Sequence, residues 1–306
     1  MFGLFKKKNN TKDKQPTSPS FIIVGAQKSG TSSLYEMLCK HPKVYRNEQK
    51  ELHFFDFNFE KGKSHYREQL SCPEGMISGD ASPFYMYHPA VAGRIAEMYP
   101  KAKIIFILRD PAERALSQYR MNTQEGIETL SPLMALVAEE DRLLKAMQAG
   151  EDWDTPNSTY QNFTYKSRGH YETQWMNFSK HFSRKQLFVM RMETLVANPA
   201  ETMQALCEFL KLPAYDWASE ALPHENKSEG IGADEGYAIE YLGHYFTPHK
   251  ERLKAWVPLS VGSWDDNLLG ESNFEDTDDA ETEDSTMPKD TEIPTTDNNE
   301  DETKEN

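Results

Sequence analysis

Between residues 20 and 264, short and wholly apolar runs alternate with longer stretches whose apolar positions recur every three or four residues. FIIVG (21–25), KIIFIL (103–108) and QLFVMRM (186–192) are of the first kind. Their brevity and continuous apolar character predict strands buried on both faces. TSSLYEMLCKH follows the first run and places Leu34, Met37 and Leu38 on one helical face. AVAGRIAEMY (90–99) and SPLMALVAEEDRLLKAMQ (131–148) read as helices, and NPAETMQALCEFLKL (198–212) as one capped by Asn198 with Pro199 next. DPAERALSQYRM predicts a helix with a defined start: Asp110 as cap, Pro111 at the first helical position, Glu113 for a capping box. YAIEYLGHYFTPHKERLKAW (237–256) is helical in pattern, with an interruption expected near Pro248. Strands alternating with helices imply an α/β, P-loop-like three-layer fold, a central mainly parallel sheet flanked by helices.

The ends differ in composition. Residues 1–19 are Lys-, Ser-, Thr- and Pro-rich and read as a disordered basic arm. Residues 265–306 are Asp-, Glu- and Thr-rich and too poor in apolar side chains to offset ordering entropy, which predicts a disordered acidic tail. Most of the formal net charge of −15 belongs to that tail, so the 20–264 domain is close to neutral. No basic stripe runs through it, which argues against nucleic-acid binding. Cys39, Cys72 and Cys207 stand far apart with no metal-ligand spacing, and no metal is expected. No apolar run approaches the ~18 residues that span a bilayer, and MFGLFKKKNN makes a poor signal peptide; a cytoplasmic, intracellular location is expected.

The candidate chemistry starts at VGAQKSGTSSL (24–34), between the first strand and the first helix. Backbone N–H groups at a helix start, with the helix dipole, form an anion site. Gly25 and Gly30 permit the wrap. Gln27, Lys28, Ser29, Gly30, Thr31, Ser32 and Ser33 line it, with Lys28 placed to reach a phosphate oxygen. The Gly-Lys-Ser/Thr ending of nucleotide-hydrolysing loops is absent. A second anion site is offered by Arg109, delivered to the carboxyl end of strand 103–108, with Ser117 two turns into the next helix. The alternative pairs Arg109 with Asp110 or Glu113.

VGAQKSGTSSLYEML, KELHFFD, GDASPFYM and IIFILRDPAERALSQY together resemble the sulfotransferases, in particular the heparan-sulfate-type and bacterial branch. The likeness continues through RGHYETQW, LFVMRMETLVANPAETMQALCEFLKL and YFTPHKERL. It implies a 3′-phosphoadenosine 5′-phosphosulfate donor, with residues 28–33 on the 5′-phosphosulfate and Arg109 with Ser117 on the 3′-phosphate. Lys227, in Asn226-Lys227-Ser228, lies where the family closes a loop over the donor. In KELHFFD, Glu51 and His53 are expected on one face of a short extended stretch. The apolar neighbours Leu52, Phe54 and Phe55 would raise the pKa of Glu51 and suit it to general-base work. The resemblance implies that role for Glu51, with His53 as alternative base or a contact to the sulfuryl group. One departure stands out: heparan-type enzymes carry Glu-Lys-Ser-Pro where this chain has Asp80-Ala81-Ser82-Pro83.

The expected reaction is in-line sulfuryl transfer to a hydroxyl or amine acceptor, as on a glycan, with Lys28 steadying the departing phosphate oxygen. Two rivals stand beside it: a P-loop kinase or other NTPase, and a non-catalytic donor-binding homologue. Acceptor identity is left open by the aromatic content of 56–75 and 122–165.

Overall fold

The computed structural model describes residues 14–223 and 233–266. All of them fall in one compact unit, Met1–Leu269. The lysine-rich start, the segment carrying Lys227 and the acidic tail beyond residue 266 lie outside the described residues.

The three apolar runs form the sheet. β2 (Phe21–Gly25), β5 (Ile104–Leu108) and β6 (Leu187–Arg191) are joined by β4 (Gly79–Ala81), in the order β4-β2-β5-β6, all parallel. β1 (Lys14–Gln15) and β3 (Cys72–Pro73) make a short antiparallel pair outside it. That pair, together with Arg67 donating to the Pro16 carbonyl, docks residues expected to belong to the arm, so the ordered chain reaches back to Lys14.

Strand side chains alternate between two cores, as the period-2 geometry requires. Ile22, Val24, Ile104, Phe106 and Val189 join one cluster. In it stand α3 (Val91–Met98) and α7 (Tyr171–Ser179), with Ile95, Trp175 and Phe178. Phe21, Ile23, Ile105, Ile107 and Phe188 enter the opposite cluster with α1 (Thr31–Leu38) and α9 (Pro199–Leu210). These are the two helical layers that the alternation of runs predicts. A third cluster packs α4 (Pro111–Gln124) and α5 (Pro132–Gln148) against α10 (Ala233–Trp256). The remaining helices are α2 (Gly62–Gln69), α6 (Thr159–Asn162) and α8 (Met192–Ala197).

Three local expectations are revised. α10 runs through Pro248 without a break, because Ala238, Leu242, Phe246 and Leu253 along it are all buried. Packing on both sides of the proline outweighs its missing N–H. Asp110 caps α4 as expected, accepting from Ala112 N at 2.9 Å and Glu113 N at 3.1 Å. The reciprocal capping-box bond is replaced: Asp110 N donates to Glu193 Oε1 at 3.1 Å, which frees Glu113 to turn toward Arg109. Asn198 makes no side-chain cap on α9; Pro199 alone marks that start.

β4 escaped the hydrophobic pattern because Gly79 and Asp80 do not look like strand residues. Gly79 is required by contact. A Cβ there would lie 2.5 Å from the Phe21 carbonyl oxygen and 2.6 Å from the Phe21 ring. Gly79→Ala is expected to cost about 1–3 kcal/mol by overpacking, read as a fall of several degrees in Tm; an unchanged Tm would mean that β4 yields freely.

Candidate functional site

Every parallel strand ends at the same edge, where Arg109, at the end of β5, approaches the Lys28 turn that follows β2. After β2 the chain turns through Lys28, whose φ is 66°, and Gly30, whose φ is 84° and which caps α1 without a side-chain bond. The N–H groups of Thr31, Ser32 and Ser33 at the helix start have no acceptor among the described residues. They remain available to an anion. Thr31 is buried, whereas Ser32 and Ser33 are partly exposed. Ser29 departs from expectation: it is fully buried, its side chain turns toward the buried Tyr171, and its N–H bonds the Ala26 carbonyl at 3.2 Å. It props the turn from below and does not offer a hydroxyl at the mouth.

Lys28 makes no ion pair among the described residues; its ammonium lies 3.7 Å from Met121 Sδ on α4. Burial and then the charge of Arg109 push its pKa down. Arg109 leaves the end of β5 and turns to the same place, with Nη1 3.5 Å from the Lys28 carbonyl oxygen. Its Nη2 pairs with Glu113 at 3.2 Å. Glu113 is well exposed, and such an i,i+4 surface pair is worth only about 0.3–0.5 kcal/mol. An anion can therefore take Arg109 from it at small cost. Ser117 is 7% exposed, and its hydroxyl has no hydrogen bond among the described residues.

Two further cations underlie the loop. Arg114 of α4 and Arg168, just before α7, are fully buried and pair with no carboxylate. Arg168 donates to Gln27 Oε1, within the loop itself. The loop and its floor thus carry four cationic side chains, of which only Arg109 has an acidic ion partner among the described residues. The orphan N–H groups of the helix mouth, Lys28, and the Arg109 guanidinium 3.5 Å from the Lys28 carbonyl oxygen are together suited to a multiply charged anion.

The match to known proteins follows the same segments. Residues 18–227 match the sulfotransferase domain family. The chain belongs to the sulfotransferase family.

A sulfotransferase from Alicyclobacillus acidocaldarius superposes with a TM-score of 0.64 at 29% identity, covering 81% of this chain and 99% of that one. The mouse heparan sulfate glucosamine 3-O-sulfotransferase 3A1 is 32% identical over 222 residues, 70% of this chain. The membrane-associated sulfotransferase kil1 of Dictyostelium discoideum is 37% identical over 110 residues, 35% of this chain. The chain spans 53% of the mouse enzyme and 23% of kil1. Among the described residues, no helix is long and apolar enough to cross a membrane.

In this sulfotransferase, Glu51 and His53 do come together, but not along an extended stretch. Both sit in the left-handed region, with φ of 56° and 46°. With Lys28, three of the five non-glycine residues of positive φ lie in the candidate site, as strain at functional positions often does. His53 Nε2 is 3.5 Å from Glu51 Oε2, and His53 Nδ1 is 2.7 Å from Asp56 Oδ2. The Glu51 side chain is 41% exposed, so the apolar surround expected for it is not what holds it.

The turn is held from β4. Asp80 accepts from Ser82 Oγ at 2.9 Å and from the Tyr85 hydroxyl at 2.7 Å. Ser82 Oγ in turn accepts from His53 N at 3.1 Å, and the Tyr85 hydroxyl accepts from Phe54 N at 2.7 Å. One buried carboxylate thereby governs consecutive N–H groups of the strained turn. Burial pushes Asp80 up to about 6, against the pull of those donors. Asp56, Asp80, Arg114 and Arg168 were missed in the sequence. Only the three-residue step from His53 to Asp56 could have suggested one of them.

Burial disfavours a charged His53, but the hydrogen bonds to Asp56 and Glu51 outweigh it and raise its pKa to about 10. The folded value lies above the unfolded one. The stabilisation is therefore complete below about pH 6.5 and is lost as pH rises through about 10. His53 is expected to remain an imidazolium at pH 8 by NMR titration, and Asp56→Asn to bring its midpoint down toward neutrality. A wild-type midpoint near 6.5 would show that the pair does not form.

Proposed function

We propose that this chain transfers a sulfuryl group from 3′-phosphoadenosine 5′-phosphosulfate to a hydroxyl or amine, with a glycan as the acceptor class. The observation that supports the proposal is the approach of Arg109 Nη1 to within 3.5 Å of the Lys28 carbonyl oxygen, which brings two cationic residues from separate strands together. Nucleoside triphosphates lack the 3′-phosphate that the second site suits. Family membership supports the reaction class, and the mouse relative acts on heparan sulfate glucosamine by its name.

The donor supplies an activated sulfur bonded to a good leaving phosphate. Lys28 and the N–H groups of residues 31–33 would hold the phosphate end and accept its growing charge. Gln27 and Gly30 complete the loop around it. Glu51 is the acceptor's base, since a protonated His53 has no free site for a proton. His53, fixed by Asp56, turns its other N–H toward Glu51 and supplies the positive charge that Ala81 does not. Ala81 is buried in the apolar cluster below the sheet, so no cation enters from that position.

Lys28→Ala and Glu51→Gln should each lower turnover by about 100- to 1,000-fold, measured with radiolabelled donor on a glycan panel. Adenosine 3′,5′-bisphosphate should bind Glu51→Gln normally and Arg109→Ala weakly. Tighter binding of Mg²⁺–ATP than of the bisphosphate would overturn the donor reading. Bisphosphate binding without sulfation of any acceptor would favour a non-catalytic protein.

A further inference from the structure

The floor of the phosphate loop holds charge that the protein leaves unneutralised. Arg168 donates to Tyr160 O at 3.0 Å, to Gln161 O at 2.8 Å and to Gln27 Oε1. Its guanidinium also lies 5.1 Å from the Phe84 ring centroid. Arg114 donates to Gln118 Oε1 at 2.8 Å and to the Tyr165 carbonyl. Neither Nε has a partner. The buried carboxylate of Glu139, on α5, gives its oxygens to the N–H groups of Lys166 and Ser167 at 2.6 and 2.8 Å, not to either guanidinium. A buried cation without an ionic partner is costly, and an apolar side chain of similar volume would ordinarily serve stability as well or better. Its retention calls for another reason.

The contact to Gln27 supplies one. A guanidinium can only donate. Gln27 must therefore face Arg168 with its amide oxygen, which leaves its amide nitrogen as a donor. We propose that Arg168 is a positioning residue of the donor site: it sets the polarity of Gln27 toward the 5′-phosphosulfate and keeps an unpaired positive charge behind the loop. The bound anion completes the charge balance of the floor. This rests on the reading that the loop holds the 5′ end of the donor.

The test is calorimetric titration of the full chain with adenosine 3′,5′-bisphosphate and with adenosine 5′-phosphate. Arg168→Met should weaken both ligands by a similar factor, about 10- to 100-fold for a hydrogen bond involving a charged group. Arg168→Lys should recover part of the loss. Arg109→Ala should weaken the bisphosphate alone. Gln27→Met leaves the Tyr160 and Gln161 carbonyl contacts of Arg168 in place. It should also weaken both ligands, and the double variant should lose less than the sum of the two. A folded Arg168→Met with unchanged affinities would overturn the proposal. So would fully additive losses, or an unaffected Gln27→Met should Arg168→Met not fold. Wild-type protein that binds neither nucleotide would instead refute the donor reading itself.

Discussion

Unbalanced positive charge at the carboxyl edge of a parallel sheet is the constraint around which this molecule is arranged. Among the described residues Lys28, Arg114 and Arg168 have no carboxylate ion pair, and Arg109 has only the half-exposed Glu113. The helix mouth of α1 adds N–H groups without acceptors. Such an arrangement is poor for stability alone, since buried charge costs more than the same volume of hydrocarbon. It becomes sensible when a multiply charged anion is part of the working state. The two cores on either side of the sheet make it possible: β2 and β5 are buried throughout, and rigid strands deliver Lys28 and Arg109 to one place.

The opposite charge balance holds beside it. Asp56 and Glu51 flank one histidine, and their hydrogen bonds raise the pKa of His53 against its burial. Asp80 acts at one remove, through Ser82 and Tyr85, on the N–H groups of the strained turn. Where a heparan-type enzyme is expected to carry lysine after this acid, the chain has Ala81 packed into the core.

The runs at 21–25, 103–108 and 186–192 were legible because strands buried on both faces leave no room for polar residues. The strand-loop-helix order of 21–38 and the Asp110-Pro111 start were legible for the same local reason: backbone geometry there depends on neighbouring residues. β4 was not legible, because its glycine is demanded by Phe21, a residue 58 positions earlier in the chain. Nor were the left-handed Glu51 and His53, whose conformation is imposed by hydroxyls on residues 82 and 85. Arg114 and Arg168 carried no sign of their own in the sequence, since burial is a property of the packed molecule and not of spacing. Ser29 was misplaced for that reason too: its hydroxyl is turned inward by the packing under the loop.

The central claim is that the two cationic sites belong to a single ligand. A crystal structure with adenosine 3′,5′-bisphosphate tests it most directly. The account requires the 5′-phosphate on the N–H groups of residues 31–33 with Lys28, and the 3′-phosphate on Ser117 and on Arg109 released from Glu113. A bisphosphate whose 3′-phosphate points away from Arg109, with the Arg109–Glu113 pair intact, would contradict it.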